Sequence, residues 1–296
     1  MKYLDGNRVG YLYILPAFAF MSVLIFYPLI YNFILSFQKV DVFTLMDDVK
    51  DFVFLDNYKE VCTSDSLYNS VKLTLIYTFF CIVFQFTIGF LLALLFKQET
   101  ASYRFMRALL LIPYIIPPTV TAIVFKFFFS VKGGILNEIL LMTGAVDSRI
   151  EWLLAPKIAM ASVIIANIWS GIPFNMILLS TGLTNIPDEL YESADIDGAN
   201  TIQKLVHITI PCLESSIKAV LVLGVVYTFR CFELIYVMTA GGPVNGTEIM
   251  TIYSYKTSFV KYNFAQGAVI SNILFVILFF IGLIYIQMIN KEEEVM

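Results

Sequence analysis

Charged and metal-binding residues are scarce in this sequence. Only 14% of its 296 residues are charged and 59% are hydrophobic, whereas about 25% of the residues of a soluble domain are charged. There is one histidine, His207, and the four cysteines form no CxxC pattern that would indicate a metal site or a disulfide framework. Walker A, GxGxxG and HExxH patterns are absent. The sequence therefore excludes a soluble globular domain and predicts no catalytic residue, no metal site and no cofactor.

The hydrophobic residues are grouped in long runs. A transmembrane helix needs about 20 mainly apolar residues, and the N-terminal run is too long for a signal peptide. The net charge of −4 argues against nucleic acid as a partner. We expect an all-α, polytopic membrane protein with six transmembrane helices in the lipid bilayer, at about 11–37, 71–96, 108–130, 158–179, 217–239 and 265–289.

Polar segments separate the spans and suggest a division of the chain. Residues 1–68 contain the first span and an acidic extracytoplasmic segment, residues 69–290 form the transmembrane core, and 291–296 are a charged tail. The total counts of Lys and Arg on the two sides do not decide the orientation. The basic turn with Lys97, Arg104 and Arg107 favours a cytoplasmic N-terminus, and six spans then place both termini in the cytoplasm.

Residues 182–214, called here the coupling loop, carry the signals of two short helices. Pro187 suits a first helical position, and two acidic residues follow it at the positive end of the helix dipole. Gly198 can end that helix, and Asn200 with Gln203 forms a capping box for the next. Pro211 is expected to redirect the chain into the fifth span. Such an amphipathic loop either packs under its own bundle or docks a partner, and the residues alone leave both readings open.

Sequence motifs in this loop and beyond resemble a known family. The run from Glu192 to Gly198 and the segment Ile208–Pro211 resemble the EAA loop of the permease subunits of binding-protein-dependent ABC importers, with Ser193 in place of an alanine. Thr239-Ala-Gly-Gly-Pro243 is similar to the turn of the MalF-like sugar branch, and matching motifs run from Asn69 onward. The resemblance implies the type I ABC importer permease fold.

The resemblance also implies partners, a location and coupling residues. They comprise a second permease subunit in a heterodimer, two cytoplasmic ATP-binding subunits and an extracytoplasmic solute-binding protein, all at the cell membrane. ATP hydrolysis would belong to the partners, so the chain itself would not be an enzyme. The substrate would be a di- or oligosaccharide, with a polyol such as glycerol phosphate as the alternative. The coupling residues would be Glu192, Ser193, Ala194, Asp197, Gly198, Ile208 and Pro211.

Several polar or aromatic residues within the spans are candidates for the substrate pathway. Aromatic faces and amide or charged groups suit the recognition of a sugar. Arg230 and Glu233 are spaced i, i+3 on one expected helix face, so they could instead neutralise each other. Pro113, Pro117 and Pro118 should bend or break the third span beside this pathway. The candidates are Asn167, Trp169, Tyr227, Arg230 and Glu233.

Two other classes of function remain open at this point. An ion-coupled secondary transporter would need buried acidic residues, and Glu233 is the only one well inside a span. A membrane scaffold that transports nothing would need no partner ATPase.

Overall fold

The computed structural model describes residues 5–47, 49–97 and 100–293. This part of the chain is mainly helical and contains no β-strand. One isolated antiparallel bridge joins Gln38 to Phe52. The α-helices, some of which continue through a π-helical turn, are α1 (Asp5–Met21), α2 (Tyr27–Leu35), α3 (Asp56–Cys62), α4 (Asp65–Leu95), α5 (Ala101–Leu110), α6 (Ile112–Ile115), α7 (Pro118–Phe128), α8 (Ile135–Met142), α9 (Pro156–Thr184), α10 (Asp188–Ile196), α11 (Thr201–Lys204), α12 (Ile210–Cys212), α13 (Glu214–Phe229), α14 (Glu233–Thr239), α15 (Met250–Tyr255) and α16 (Phe264–Glu293).

The lengths of the apolar helices account for six membrane spans. Four continuous segments are long and apolar enough to cross a bilayer: Tyr13–Leu35, Asp65–Leu95, Pro156–Thr184 and Phe264–Gln287. Two bent pairs, Ser102–Ile115 with Pro118–Phe128 and Thr201–Cys212 with Glu214–Phe229, bring the number to six when each pair counts as one span. The predicted all-α, six-span architecture is confirmed.

The third span is broken, as its prolines predict. Ile116 and Pro117 have extended backbone, with ψ of 129° and 140°. The segments on either side meet at 98°. Proline restricts the residue before it to extended conformations, so consecutive prolines at 117 and 118 end one helix and allow the next to begin. Pro113 lies in the first turn of α6, where a missing N–H is tolerated, and causes no break.

The fifth span departs from the prediction of one helix over 217–239. Helix α13 ends at Phe229, and α14 begins at Glu233. The hydroxyl of Thr251 donates a hydrogen bond of 2.7 Å to the carbonyl of Cys231, which gives one backbone group in the break a partner. Because the helix is interrupted between them, Arg230 and Glu233 do not share a helix face, and the predicted i, i+3 arrangement is wrong.

The chain forms two compact units. The first contains the described residues up to 68 together with residues 253–275, and the second contains 69–252 and the residues from 276 onward. Residues 253–275 therefore cluster with the N-terminal segment. In the second unit α4, α7, α9 and α14 bury a common core that includes Tyr77, Phe129, Val163, Ile235 and Ile249.

Within the first unit, polar side chains join α2, α3 and α16. Asn32 donates from Nδ2 to Asn272 Oδ1 at 2.8 Å, and Asn272 donates from Nδ2 to the Tyr58 hydroxyl at 3.3 Å. The Tyr58 hydroxyl also pairs with Ser36 Oγ at 2.9 Å. Hydrogen bonds of this kind hold membrane helices together where the hydrophobic effect gives little driving force between them.

The segment between α7 and α9 is organised by Asn137, whose side chain is fully buried. Its Nδ2 donates to the carbonyl oxygens of Ser130, Val131 and Ile150 at 3.0–3.4 Å. Its Oδ1 accepts from the Ile150 N–H at 3.0 Å and from Trp152 Nε1 at 3.1 Å. One amide thus ties the end of α7 to the chain that leads into α9.

Replacing Asn137 with Ala should lower the stability of this segment. A buried polar group left without a partner costs about 1–3 kcal/mol, and the substitution strips several groups at once, so we expect a loss of about 2–4 kcal/mol. The measurement is the thermal unfolding midpoint of the purified protein. Glu138→Gln is the matched control, because Glu138 is next to Asn137 in the sequence and its side chain makes only an exposed ion pair with Arg149. Equal midpoints for the two variants would contradict the role of Asn137.

Candidate functional site

The first helix of the coupling loop, α10, has a defined beginning and end. It starts at Asp188, one residue later than predicted, because Pro187 has extended backbone (ψ 134°) and caps the helix. At its end Gly198 has φ +77°, and the Ala199 N–H donates to the Ala194 carbonyl at 2.9 Å. A Cβ at position 198 would meet nothing within 4 Å. The left-handed backbone alone therefore favours glycine here.

The second helical segment of the loop begins with the predicted capping box. The Gln203 N–H donates to Asn200 Oδ1 at 2.9 Å, and the Asn200 N–H donates to Gln203 Oε1 at 2.8 Å. The segment runs through α11, a π-helical turn at Leu205–Thr209 and α12. Its change of direction, 68°, falls at Leu213. Pro211 lies in the first turn of α12, so the expectation that it redirects the chain is wrong by two residues.

Side-chain contacts brace the two helical segments against each other. The Tyr191 hydroxyl pairs with Thr209 Oγ1 at 3.0 Å, and Thr209 is only 4% exposed. Lys97, at the end of α4, places Nζ 3.6 Å from the centroid of the Tyr191 ring, an arrangement that suits a cation–π interaction. Lys204 also forms an ion pair with Asp195. The coupling loop is thus held as one body.

The loop is rooted in two spans. Leu179 and Leu183 of α9 and Ile186 just after it form a buried cluster, the root cluster, with Leu213 and Val220 around the start of α13. The helices approach closely at Gly182, where a Cβ would lie 2.4 Å from Ser216 Oγ. Tyr191 and Ile208 of the loop pack against the same cluster. A displacement of the loop would therefore be passed to both spans.

Most of the predicted coupling residues are exposed. Of the predicted coupling residues Glu192, Ser193, Asp197, Gly198 and Pro211 are exposed, and Ala194 and Ile208 are half-buried.

Two strongly exposed isoleucines of the loop were not among the predicted coupling residues. Ile196 is 87% exposed and Ile202 is 72% exposed. Large apolar side chains rimmed by polar residues are typical of a protein interaction surface. Their positions in the sequence were the available signal, because both lie within four residues of the turn at Gly198.

A second candidate site lies where the two helix breaks meet α9. Two adjoining cavities of about 340 and 380 Å³ share four wall residues, Pro118, Asn167, Ser170 and Tyr227. The break in the third span contributes Ile116 to the first cavity, and the break in the fifth span contributes Arg230 and Phe232 to the second.

Aromatic rings form one wall of the first cavity. The Phe174 and Tyr227 rings meet edge to face with centroids 5.5 Å apart, and Tyr114 stacks on Phe174 at 6.3 Å. All three line the cavity. Such rings supply apolar faces for the C–H surface of a ligand.

Gln85 on α4 is a polar wall residue that the sequence reasoning missed. It is only 4% exposed, and its Nε2 donates to the Asn167 carbonyl at 2.9 Å. A Cβ at Gly171 would lie 2.3 Å from that nitrogen, so glycine makes room for the amide. Among the described residues Oε1 has no hydrogen-bond partner, which leaves an acceptor at the first cavity. A lone glutamine in an otherwise apolar run was the available signal.

Opposite charges line the second cavity. The Arg230 guanidinium lies 5.1 Å from the centroid of the Tyr227 ring, and Glu233 is the first residue of α14. In the part of the chain that the structure describes, these two side chains form no ion pair with each other. The cavity therefore presents one positive and one negative group.

Trp169 lies apart from these cavities. Its ring packs against Phe125 with centroids 5.5 Å apart, half-buried beside the main core. The other four predicted pathway residues, Asn167, Tyr227, Arg230 and Glu233, line the second cavity.

A bundle of membrane-spanning helices, with a polar cavity at helix breaks and a braced loop exposed beyond the spans, defines a permease-type membrane transport component. The chain belongs to the family of binding-protein-dependent transport system inner membrane components, whose model matches residues 85–291. The resemblance noted from the sequence is thereby confirmed.

Named relatives extend over nearly the whole chain. The trehalose/maltose transport system permease protein MalF of Thermococcus litoralis is 30% identical over 97% of this chain and 95% of its own length. The diacetylchitobiose uptake system permease protein DasB of Streptomyces coelicolor is 29% identical over 98% and 89%. A chain of a bacterial alginate ABC transporter, crystallised with an alginate pentasaccharide-bound periplasmic protein, has the same fold, with a TM-score of 0.82 at 22% identity over 97% and 96%.

Tyr191→Phe should loosen the coupling loop without unfolding it. The variant removes the hydroxyl that pairs with Thr209 and keeps the ring, and a typical hydrogen bond contributes about 0.5–1.5 kcal/mol. We expect amide hydrogen exchange over residues 205–209 to become roughly three- to tenfold faster. Tyr114→Phe is the control, because the Tyr114 hydroxyl makes no hydrogen bond among the described residues. Unchanged exchange in the Tyr191 variant would show that this contact does not brace the loop.

Proposed function

We propose that this chain is the permease subunit of an ATP-driven importer for a neutral di- or oligosaccharide. It would form half of the translocation pathway beside a second permease subunit and receive its substrate from an extracytoplasmic solute-binding protein. Two cytoplasmic ATP-binding subunits would hydrolyse ATP. The coupling loop carries the proposal: Tyr191 of α10 contacts Thr209 and Lys97 and packs against the root cluster, whereas Ile196 and Ile202 of the same loop are exposed.

The orientation is supported by a contact between two polar segments. Lys97 at the end of α4 reaches Tyr191 of α10, so the basic turn and the coupling loop lie at the same end of the second unit. Basic residues in short loops favour the cytoplasmic side. The coupling loop and, with six spans, both termini would therefore face the cytoplasm.

Motion would pass from the ATP-binding subunits to the pathway through the loop. Closure of a partner dimer moves its surface as a rigid body, and an element docked there moves with it. Glu192 would bond within the docking interface, Ala194 would allow close approach, and Gly198 would permit the turn. The root cluster would carry this displacement into α9 and α13, which bear Asn167 and Tyr227 on the wall of the cavities.

A neutral carbohydrate suits both the cavities and the relatives. Aromatic faces beside Gln85, Asn167 and Ser170 offer stacking and hydrogen bonding, and the charges of Arg230 and Glu233 balance. The named relatives transport trehalose or maltose and take up diacetylchitobiose. A polyol phosphate such as glycerol phosphate is the alternative, but an anionic solute would favour an excess of positive charge. Membership of the permease family removes the secondary transporter and the scaffold as candidates.

Gly198→Asp should abolish uptake while the protein remains in the membrane. Asp tolerates the left-handed backbone better than most residues, and the open space at this position accommodates its side chain. The main change is a further negative charge beside Asp197 at the docking face. The measurements are substrate uptake in cells and copurification of the ATP-binding subunit.

Gly198→Asn separates charge from backbone strain. Asn has nearly the same shape and the same tolerance of positive φ, so this variant should retain much of the uptake. Retained transport by the Asp variant, or failed membrane insertion, would count against docking at this surface. Equal loss in both variants would assign the effect to the backbone and would overturn the charge argument.

Asn167→Ala and Arg230→Ala should each raise the substrate concentration needed for half-maximal uptake. Leaving a substrate group without its partner costs about 1–3 kcal/mol, or roughly 5- to 150-fold in affinity. Gln85→Leu should do the same, because it removes the free acceptor while filling similar space. The measurement is concentration-dependent uptake into proteoliposomes that hold the full complex and its binding protein.

Trp169→Phe is the matched control for the cavity. Its ring packs in the core away from both cavities, so the variant should leave the half-saturating concentration unchanged. Wild-type uptake by the Asn167 and Arg230 variants, in complexes that assemble normally, would remove those side chains as substrate contacts.

A further inference from the structure

We propose that a groove between α4 and α9 binds the acyl chain of an anionic phospholipid. The groove encloses about 510 Å³ and lies apart from the polar cavities. Helix α4 contributes Ile76, Phe80, Phe84 and Ile88, spaced four residues apart along one stripe. Helix α9 contributes a facing set of apolar residues that includes Ile164 and Ile168.

The length of the groove matches one leaflet of a bilayer. The twelve helical steps from Ile76 to Ile88 rise about 18 Å, and half of a 30 Å hydrocarbon core is about 15 Å. Close contact between the two helices marks its inner end: a Cβ at Gly89 would lie 2.6 Å from Asn175 Cβ. An acyl chain entering from the membrane surface would end there.

Positive charge marks the other end of the groove. Lys157, the second residue of α9, lines the groove itself. Lys72 continues the α4 stripe by one more step of four residues. Both side chains are exposed, and neither forms an ion pair among the residues that the structure describes. A lysine at the membrane surface increases the affinity for an anionic lipid headgroup roughly fivefold.

The dimensions and charges favour a lipid over a helix of a partner subunit. A helix 10 Å across and 18 Å long would occupy about 1,400 Å³, well over the volume of the groove. A partner helix would also cross the full hydrocarbon core, whereas the groove extends over about one leaflet. A phospholipid with a net negative headgroup supplies both the single chain and the anion. This leaflet is the outer one in the proposed orientation, and the inference does not depend on the transported solute.

The test is native mass spectrometry of the complete transporter complex titrated with phosphatidylglycerol or phosphatidylcholine. We expect one phosphatidylglycerol retained per chain, with about 25-fold preference over phosphatidylcholine from two lysines. Lys72→Gln with Lys157→Gln should bring that preference close to one. Ala161→Phe should fill the groove and remove both lipids.

Two matched controls should change neither result. Lys132→Gln removes the charge of an exposed loop lysine, and Thr87→Phe adds a ring to an exposed part of α4 outside the groove lining.

Photo-crosslinking identifies the occupant directly. A benzophenone amino acid in place of Phe80 should yield an adduct with the mass of a phospholipid. An adduct with another protein chain, equal binding of the two lipids by the wild type, or full lipid retention by Ala161→Phe would overturn the proposal. Should the Ala161 variant fail to assemble, the paired lysine variant still decides, because both of its changes are on exposed side chains.

Discussion

Hydrogen bonding of the backbone inside the hydrocarbon layer is the constraint on which this architecture depends. No water is available there, so non-helical backbone is tolerated only where it is buried in protein or lines a cavity. Both breaks obey this rule. Ile116 and Pro118 line the cavity of about 340 Å³, and the carbonyl of Cys231 in the other break accepts a hydrogen bond from Thr251. The breaks that interrupt the spans are therefore the same features that open the polar site between them.

The coupling loop lies beyond the spans and is free of this constraint, because its backbone groups can form hydrogen bonds with water. Its order comes instead from a few side-chain contacts, chiefly between Tyr191 and Thr209 and between Asp195 and Lys204. Ordering a loop costs conformational entropy, and here burial against the ends of α9 and α13 offsets that cost. A loop held this firmly can transmit a displacement, which a flexible connection of the same length would absorb.

Features with local causes were predictable from the sequence. The stop at Gly198, the capping box of Asn200 with Gln203 and the proline break of the third span each depend on neighbours in the chain, and the structure shows all three. The break after Phe229 was not predictable, because no proline or glycine lies between Gly224 and the start of α14. Which wall Gln85 or Trp169 faces depends on partners distant in the sequence, and an apolar span has no periodicity that reveals it.

Helix α4 shows why periodicity fails here. One side carries Gln85 to the wall of the polar cavity, and another carries Phe84 and Ile88 to the apolar groove, so the helix is apolar almost all round. Arg230 illustrates the complementary case. A charge at the centre of a bilayer costs about 2.5–3.5 kcal/mol on insertion scales. A regular, lipid-facing helix at this position would provide no polar group or water to reduce that cost. Located in a helix break, over the Tyr227 ring and at a cavity, it keeps access to polar surroundings. The break thus makes a charged residue tolerable within a span, and the charge in turn keeps that part of the wall polar.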